Sequence, residues 1–148
     1  MSASRADLAG RVPHSVRCVP MASLKRIAPI FPVSDLRASL EHYAKLGFAT
    51  RAYETGEYGF ATLDNVEIHL GVMPTGRSAT PASAYLFVED ADQLAQRWTS
   101  AGANVRPPED TEWGQHEGVL IDPDGNIIRF GSAMARPVLT RALRRSQP

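Results

Sequence analysis

Val33-Ser34-Asp35 opens a helical pattern that ends at Leu46-Gly47, and 55 residues further along Val88-Glu89-Asp90 opens another that ends at Ala101-Gly102. The two patterns match at four corresponding positions: Val33 and Val88, Asp35 and Asp90, Tyr43 and Trp98, Gly47 and Gly102. A fixed period with matching start and stop signals indicates a duplicated supersecondary unit. Two such units side by side create a cleft, and the residues that line it decide what the protein does.

The elements predicted around the first pattern make one βαβββ unit. Residues 25–33 alternate and predict a strand, in which Pro29 and Pro32 favour an edge position. Ser34 is the expected N-cap, with Asp35 in the first turn of a helix that Gly47 ends. Three further strands are expected at residues 48–54, 58–63 and 66–72.

The second unit repeats this order after a linker at residues 73–81. We expect a strand at residues 83–88, a helix at 90–101 capped by Asp90, and a strand at 103–106. A long polar loop is predicted from 107 to 116. Strands at 119–121 and 126–130 then flank the turn Asp122-Pro123-Asp124-Gly125, in which proline and glycine suit the central positions.

Composition narrows the class of protein. The 148 residues are 43% hydrophobic and 22% charged, which is typical of one globular domain. Lysine plus arginine and aspartate plus glutamate both number 16, so nothing indicates a nucleic-acid or membrane partner. The single cysteine, Cys18, excludes an intrachain disulfide framework and favours a cytoplasmic location.

The two ends of the chain differ from its centre. Residues 1–22 are predicted to be a disordered extension, and Met21 is a possible natural start. Residues 23–133 are predicted to be the folded domain, with modules at about 24–73 and 82–132. Residues 134–148 form a basic tail that carries Arg136, Arg141, Arg144 and Arg145.

Three stretches of this sequence resemble the vicinal oxygen chelate superfamily, which includes glyoxalase I, extradiol dioxygenases and bleomycin-resistance proteins. They are 32–36 (PVSDL), 43–48 (YAKLGF) and 113–126 (WGQHEGVLIDPDGN). The Trp-Gly pair ahead of Asp-Pro-Asp-Gly is most similar to the bleomycin-resistance branch. The resemblance implies an α+β fold of two βαβββ modules around a cleft, in a homodimer that exchanges its first strand.

The resemblance also implies where a divalent metal would bind. The family's four ligand positions fall on Ala28, Ser83, Arg129 and either Glu67 or His69. Alanine offers no lone pair, and a guanidinium repels a cation. We therefore expect no metal, no other cofactor and no catalytic residue.

Ligand binding must then rely on shape, stacking and charge. The resemblance places the aromatic pair that sandwiches a drug on Tyr53 and Trp113, with Tyr58 as a further aromatic. Trp113 lies in a polar segment where an indole has little local core to join, so we expect a binding contact. The remaining candidates are Phe60, His69, Gly114, Glu117 and Arg129.

Two alternatives qualify these candidates. Tyr53, Tyr58 and Phe60 could instead pack one face of a sheet. The acidic residues near the aromatic ones suit a flat cationic ligand, whereas Arg51 and Arg129 suit an acidic group.

The leading functional prediction is non-catalytic sequestration of a flat, cationic antibiotic of the bleomycin type. The alternatives are a metal-dependent enzyme of the glyoxalase or dioxygenase kind, and a member of the same superfamily that binds a metabolite. The predicted partners are a small molecule and a second copy of the chain.

Overall fold

A computed structural model describes residues 22–74 and 80–134 of the chain. The predicted extension at 1–22 and the basic tail at 134–148 lie outside these ranges except for their innermost residues, as does the middle of the linker. Neither helix in the described ranges has the length and apolar character needed to cross a bilayer.

The described chain folds as two βαβββ modules, which confirms the predicted fold class. The first module contains β1 (Ile30–Val33), α1 (Leu36–Lys45), β2 (Ala49–Ala52), β3 (Tyr58–Leu63) and β4 (Val66–Val72). The second contains β5 (Ser83–Phe87), α2 (Ala91–Ser100), β6 (Asn104–Asp110), β7 (Gln115–Ile121) and β8 (Ile127–Ala133).

Each module makes its own four-stranded sheet. Sheet A has the order β1-β4-β3-β2, and sheet B has the equivalent order β5-β8-β7-β6. The first strand of each module pairs in parallel with its last strand, and the other pairs are antiparallel. One face of each sheet packs against its helix, so the other face is left open.

Aspartate caps both helices. Asp35 has an extended backbone and accepts a hydrogen bond of 3.1 Å from the Ala38 amide, while Asp90 does the same for Gln93 at 2.9 Å. The prediction that Ser34 is the first cap was therefore wrong by one residue. The Ser34 amide instead donates to Asp124 of the second module at 3.0 Å.

Two predicted segments differ from the structure. Residues 25–29 are not a strand, and β1 begins only at Ile30, after Pro29, which has no amide hydrogen for a ladder. The predicted loop at 107–116 is mostly strand: β6 continues to Asp110 and β7 begins at Gln115, with an irregularity between Arg106 and Glu109. Pro107 and Pro108 suggested a loop, but an edge strand tolerates proline.

The turn between β7 and β8 joins the modules. Asp122 accepts from the Tyr43 hydroxyl at 3.0 Å, and the Asn126 side chain donates to the Pro32 carbonyl at 2.9 Å. Asp122 and Asn126 are 5% and 0% exposed. Because buried polar groups are costly unless they are paired, these bonds hold the two modules in one arrangement.

Candidate functional site

Aromatic and ionisable side chains share the open face of sheet A. Tyr58 and Phe60 alternate along β3, and Glu67 and His69 alternate along β4. Phe60 lies directly opposite His69 in the strand register. The Tyr58, Phe60 and His69 rings meet edge to face at centroid distances of 4.8 to 5.6 Å, which is a favoured aromatic geometry.

A cavity of about 510 Å³ opens on this face. Its aromatic lining consists of Tyr53, Tyr58 and Phe60, and it is completed by Thr55, Glu57 and Val72. Tyr53 is 53% exposed, so its ring is available to a ligand. Three of the predicted site residues therefore lie around one cavity, in a size range typical of small-molecule sites.

A chain of hydrogen bonds runs beside this cavity. His69 contacts the Glu67 carboxylate through Nε2 at 2.8 Å and the Tyr58 hydroxyl through Nδ1 at 2.9 Å. The Arg26 guanidinium donates to the same Glu67 oxygen at 3.0 Å. The hydrogen bonds from His69 and then from Arg26 hold the pKa of the Glu67 carboxyl below its usual value.

Arg51 already occupies one aromatic face at this site. Its guanidinium carbon lies 3.9 Å from the centroid of the Phe60 ring, a cation–π contact. An incoming cation therefore finds the faces of Tyr53 and Tyr58 more open than that of Phe60.

The open face of sheet B carries a different set of side chains. Arg129 donates to Glu117 at 3.1 Å, and the Glu117 side chain is only 7% exposed. Tyr85 is paired with Arg129 in the strand register. Burial raises the pKa of the Tyr85 hydroxyl, and the nearby Glu117 carboxylate raises it further.

This ion pair changes the roles expected for two candidates. Glu117 was expected to be a ligand contact, but its side chain is buried against Arg129. Arg129, the alternative anchor for an acidic ligand, is already paired. Neither side chain is a free charge in this chain.

Trp113 and Gly114 form the exposed turn between β6 and β7. Gly114 has φ of +86°, a conformation that glycine adopts without strain, and its amide donates to the Thr111 carbonyl at 3.2 Å. Trp113 is 68% exposed, as expected for an indole outside the core. The other tryptophan, Trp98, is 1% exposed and belongs to the core.

His116 fixes the base of this turn. Its Nδ1 lies 2.7 Å from Asp110 at the end of β6, and its Nε2 lies 3.1 Å from Asp92 at the start of α2. These two hydrogen bonds raise the pKa of the His116 imidazole. No role for His116 was expected from the sequence, because its partner Asp92 is 24 residues away along the chain.

The predicted site residues thus form two groups on separate sheets. Tyr58, Phe60 and His69 belong to sheet A, and Tyr53 directly follows β2 of that sheet, whereas Trp113, Gly114, Glu117 and Arg129 belong to sheet B and its turn. Trp113 does not line the cavity that contains Tyr53. Arg26 and Tyr85 were missed, although the alternation of Glu67 with His69 on one strand face was a signal for the polar network.

The residues at the family's metal positions do not fit a divalent ion. The Glu67 carboxylate is engaged by Arg26 and His69, and Arg129 brings a positive charge that is held by Glu117. Across residues 22–74 and 80–134, no group of three or more His, Cys, Asp or Glu side chains is arranged to hold a metal. No chemistry through a bound metal follows from this donor set.

Sequence and structure comparisons identify relatives of this architecture. The model of the Glyoxalase/Bleomycin resistance protein/Dioxygenase superfamily matches residues 23–130. A bleomycin resistance protein of Geobacillus stearothermophilus is 32% identical over 125 residues, which cover 69% of this chain and 92% of that protein.

Solved structures share the fold at low sequence identity. A bleomycin resistance determinant encoded on the transposon Tn5 has a TM-score of 0.67 at 20% identity, covering 76% of this chain and all of that one. A bleomycin-binding protein from Streptomyces verticillus, complexed with copper(II)-bleomycin, has a TM-score of 0.65 at 21% identity, covering 78% and 100%. The family model that matches residues 23–130 and the relative at 32% identity show that the chain belongs to the Glyoxalase/Bleomycin resistance protein/Dioxygenase superfamily.

Proposed function

We propose that this protein sequesters a flat, cationic antibiotic of the bleomycin type without changing it chemically. The observation that carries the proposal is the cavity of about 510 Å³ on sheet A, lined by Tyr53, Tyr58 and Phe60 with Glu57 beside them. Aromatic faces stack on planar rings, and a nearby carboxylate favours a positive charge. The bleomycin resistance protein that is 32% identical supports the same ligand class.

A second copy of the chain would complete the site. Tyr53 directly follows β2 at the edge of sheet A and Trp113 lies in the turn of sheet B, and both are more than half exposed. Two edge strands also expose large apolar side chains: Ile30 on β1 is 58% exposed and Phe87 on β5 is 82% exposed. A homodimer that joins these edges would set sheet A of one subunit against sheet B of the other and bury apolar surface.

The family's enzymatic alternative has less support from these residues. Its reactions depend on a bound metal, whereas Arg129 and the engaged Glu67 carboxylate are poor partners for one. A metabolite with the same shape and charge as the drug would suit the same cavity, so the test must include both kinds of ligand.

Isothermal titration calorimetry with metal-free bleomycin tests the proposal, with phleomycin, mitomycin and a set of flat metabolites measured alongside. The expected result is saturable binding of bleomycin, with one site for each subunit. Mass spectrometry of the recovered drug separates sequestration from modification, and an unchanged mass is expected. Tight binding of a flat metabolite with no binding of bleomycin would identify that metabolite, rather than the drug, as the ligand.

A further inference from the structure

The hydrogen bonds from Glu67 through His69 to Tyr58 have a direction that the structure fixes. Glu67 is a carboxylate that accepts from both Arg26 and His69, and its pKa is lowered by these two bonds. An ionised carboxylate has no proton to donate. The Nε2 atom of His69 must therefore carry a hydrogen and donate it to Glu67.

The direction of the second hydrogen bond of His69, the one to Tyr58, then follows. A neutral imidazole carries one N–H, so a ring that donates from Nε2 can only accept at Nδ1. The Tyr58 hydroxyl lies 2.9 Å from Nδ1 and must be the donor in that bond. Its single proton is thereby turned toward His69, which leaves a lone pair on the Tyr58 oxygen for any other partner.

We infer that Tyr58 is a specificity-determining residue that acts as a fixed hydrogen-bond acceptor and selects ligands with an N–H or O–H donor. Tyr58 lines the cavity together with Glu57, whose carboxylate also accepts. Ammonium, amidinium and amide N–H groups meet this requirement. A carboxylate or carbonyl at the same place would face a second acceptor and lose its own hydrogen bonds to water.

This inference rests on the proposed function only in taking the sheet A cavity as the ligand site. It assigns Arg26 and Glu67 an indirect role, since they position His69 and do not line the cavity. Their contribution is to fix which ring nitrogen of His69 carries the hydrogen.

Nitrogen-15 NMR of histidine-labelled protein at about pH 8, where imidazoles are ordinarily neutral, tests the direction of the chain without any ligand. A His69→Gln variant identifies the His69 signals by their loss. The expected result is a protonated Nε2 and an unprotonated Nδ1. A hydrogen on Nδ1 would reverse the Tyr58 bond and overturn the inference.

Benzamidine and benzoate test the selectivity, because both are flat and similar in shape while only benzamidine offers N–H donors. Benzamidine is expected to shift the NMR signals of Tyr58 and His69 at millimolar concentration, and benzoate is not. Equal or stronger binding of benzoate, or no binding of benzamidine, would refute the inference. Neither result depends on bleomycin, so a failure of the proposed function would be recognised separately by calorimetry.

Two conservative variants test whether the Tyr58 hydroxyl is responsible for this selectivity. Tyr58→Phe keeps the ring and removes the acceptor, and a loss of about threefold to tenfold in benzamidine affinity is expected, the value of one hydrogen bond. Thr99→Val removes an exposed hydroxyl on α2, outside the cavity and the chain of hydrogen bonds, and should leave that affinity unchanged. Equal affinity of Tyr58→Phe and the parent protein would show that Tyr58 does not select the ligand.

Discussion

Tyr43 and Trp98, which occupy the same position in the two halves of the repeat, each donate a hydrogen bond into the other module. The Tyr43 hydroxyl donates to Asp122 at 3.0 Å, and the Trp98 indole nitrogen donates to the Leu46 carbonyl at 3.1 Å. Tyr43 and Trp98 are 0% and 1% exposed. The pseudo-symmetry of the sequence is thus also a symmetry of the contacts that hold the modules together.

Tyr43→Phe is expected to lower the free energy of unfolding by about 1–2 kcal/mol, because it removes the buried donor to Asp122 and keeps the ring. Asp122 retains bonds from the Asp124 and Asn126 amides, which limits the loss. Urea denaturation measures the effect. Tyr53→Phe, at an exposed position, is the matched control and should change stability little. Equal stability of Tyr43→Phe and the parent would mean that this bond does not stabilise the fold.

Gly118→Ala is expected to destabilise the protein by about 1–3 kcal/mol through overpacking. A methyl group there would lie 2.5 Å from the Phe130 ring and 3.1 Å from the Arg106 carbonyl. Gly71→Ala is the control, because its methyl group would meet the Tyr58 ring at an ordinary 3.4 Å. A similar loss of stability in both variants, measured by thermal unfolding, would contradict the packing argument.

Stability should also depend on the charge of His116. Asp92 and Asp110 raise the pKa of this imidazole in the folded protein, so its contribution is fully present below about pH 6.5, the pKa of an unfolded histidine. The contribution is lost as the pH rises through the raised folded value. His116→Gln should therefore lower stability more at about pH 5.5 than at pH 9, by less than about 1 kcal/mol, because both carboxylates are exposed.

Urea denaturation of the parent and His116→Gln at the two pH values measures this difference. Asp110→Asn gives a second check, since it removes the carboxylate at 2.7 Å from the ring and should reduce the pH dependence. A loss that is larger at pH 9 than at pH 5.5 would have the wrong sign for a raised pKa.

Trp113→Ala is expected to weaken binding of metal-free bleomycin by about tenfold to a hundredfold, which corresponds to the loss of about 1–3 kcal/mol of aromatic contact. The fold should survive, because Trp113 is exposed in a turn. Tryptophan fluorescence separates the two indoles: Trp113 should be quenched by the ligand, while buried Trp98 should not respond. If the variant binds as tightly as the parent, Trp113 is not part of the site.

Sedimentation should show a homodimer at micromolar concentration, and Phe87→Glu should shift it toward monomer. Phe87 lies on the edge strand β5 and is 82% exposed in one chain, a position where a charge opposes association between apolar edges. A parent protein that sediments as a monomer would count against both the dimer and the shared site.

The sequence by itself determined the duplicated fold, because the signals that define the repeat, helix caps and strand alternation, are local. Asp90 caps its helix as predicted, and the alternation in β3 and β4 predicted strands whose ends the structure reproduces. The exposure of Trp113 also followed from its polar local context. These features depend on neighbours within a few residues.

Tertiary structure alone decided the partners of the charged groups. Arg26 reaches Glu67 across 41 residues, and His116 reaches Asp92 across 24, so no spacing in the sequence indicates either contact. The pairing of Arg129 with Glu117 follows from the register of β7 and β8, because a shift of one residue would place these two side chains on opposite faces of the sheet. The charge that a ligand meets could therefore not be predicted from the sequence, because it depends on which side chains the folded sheets bring together.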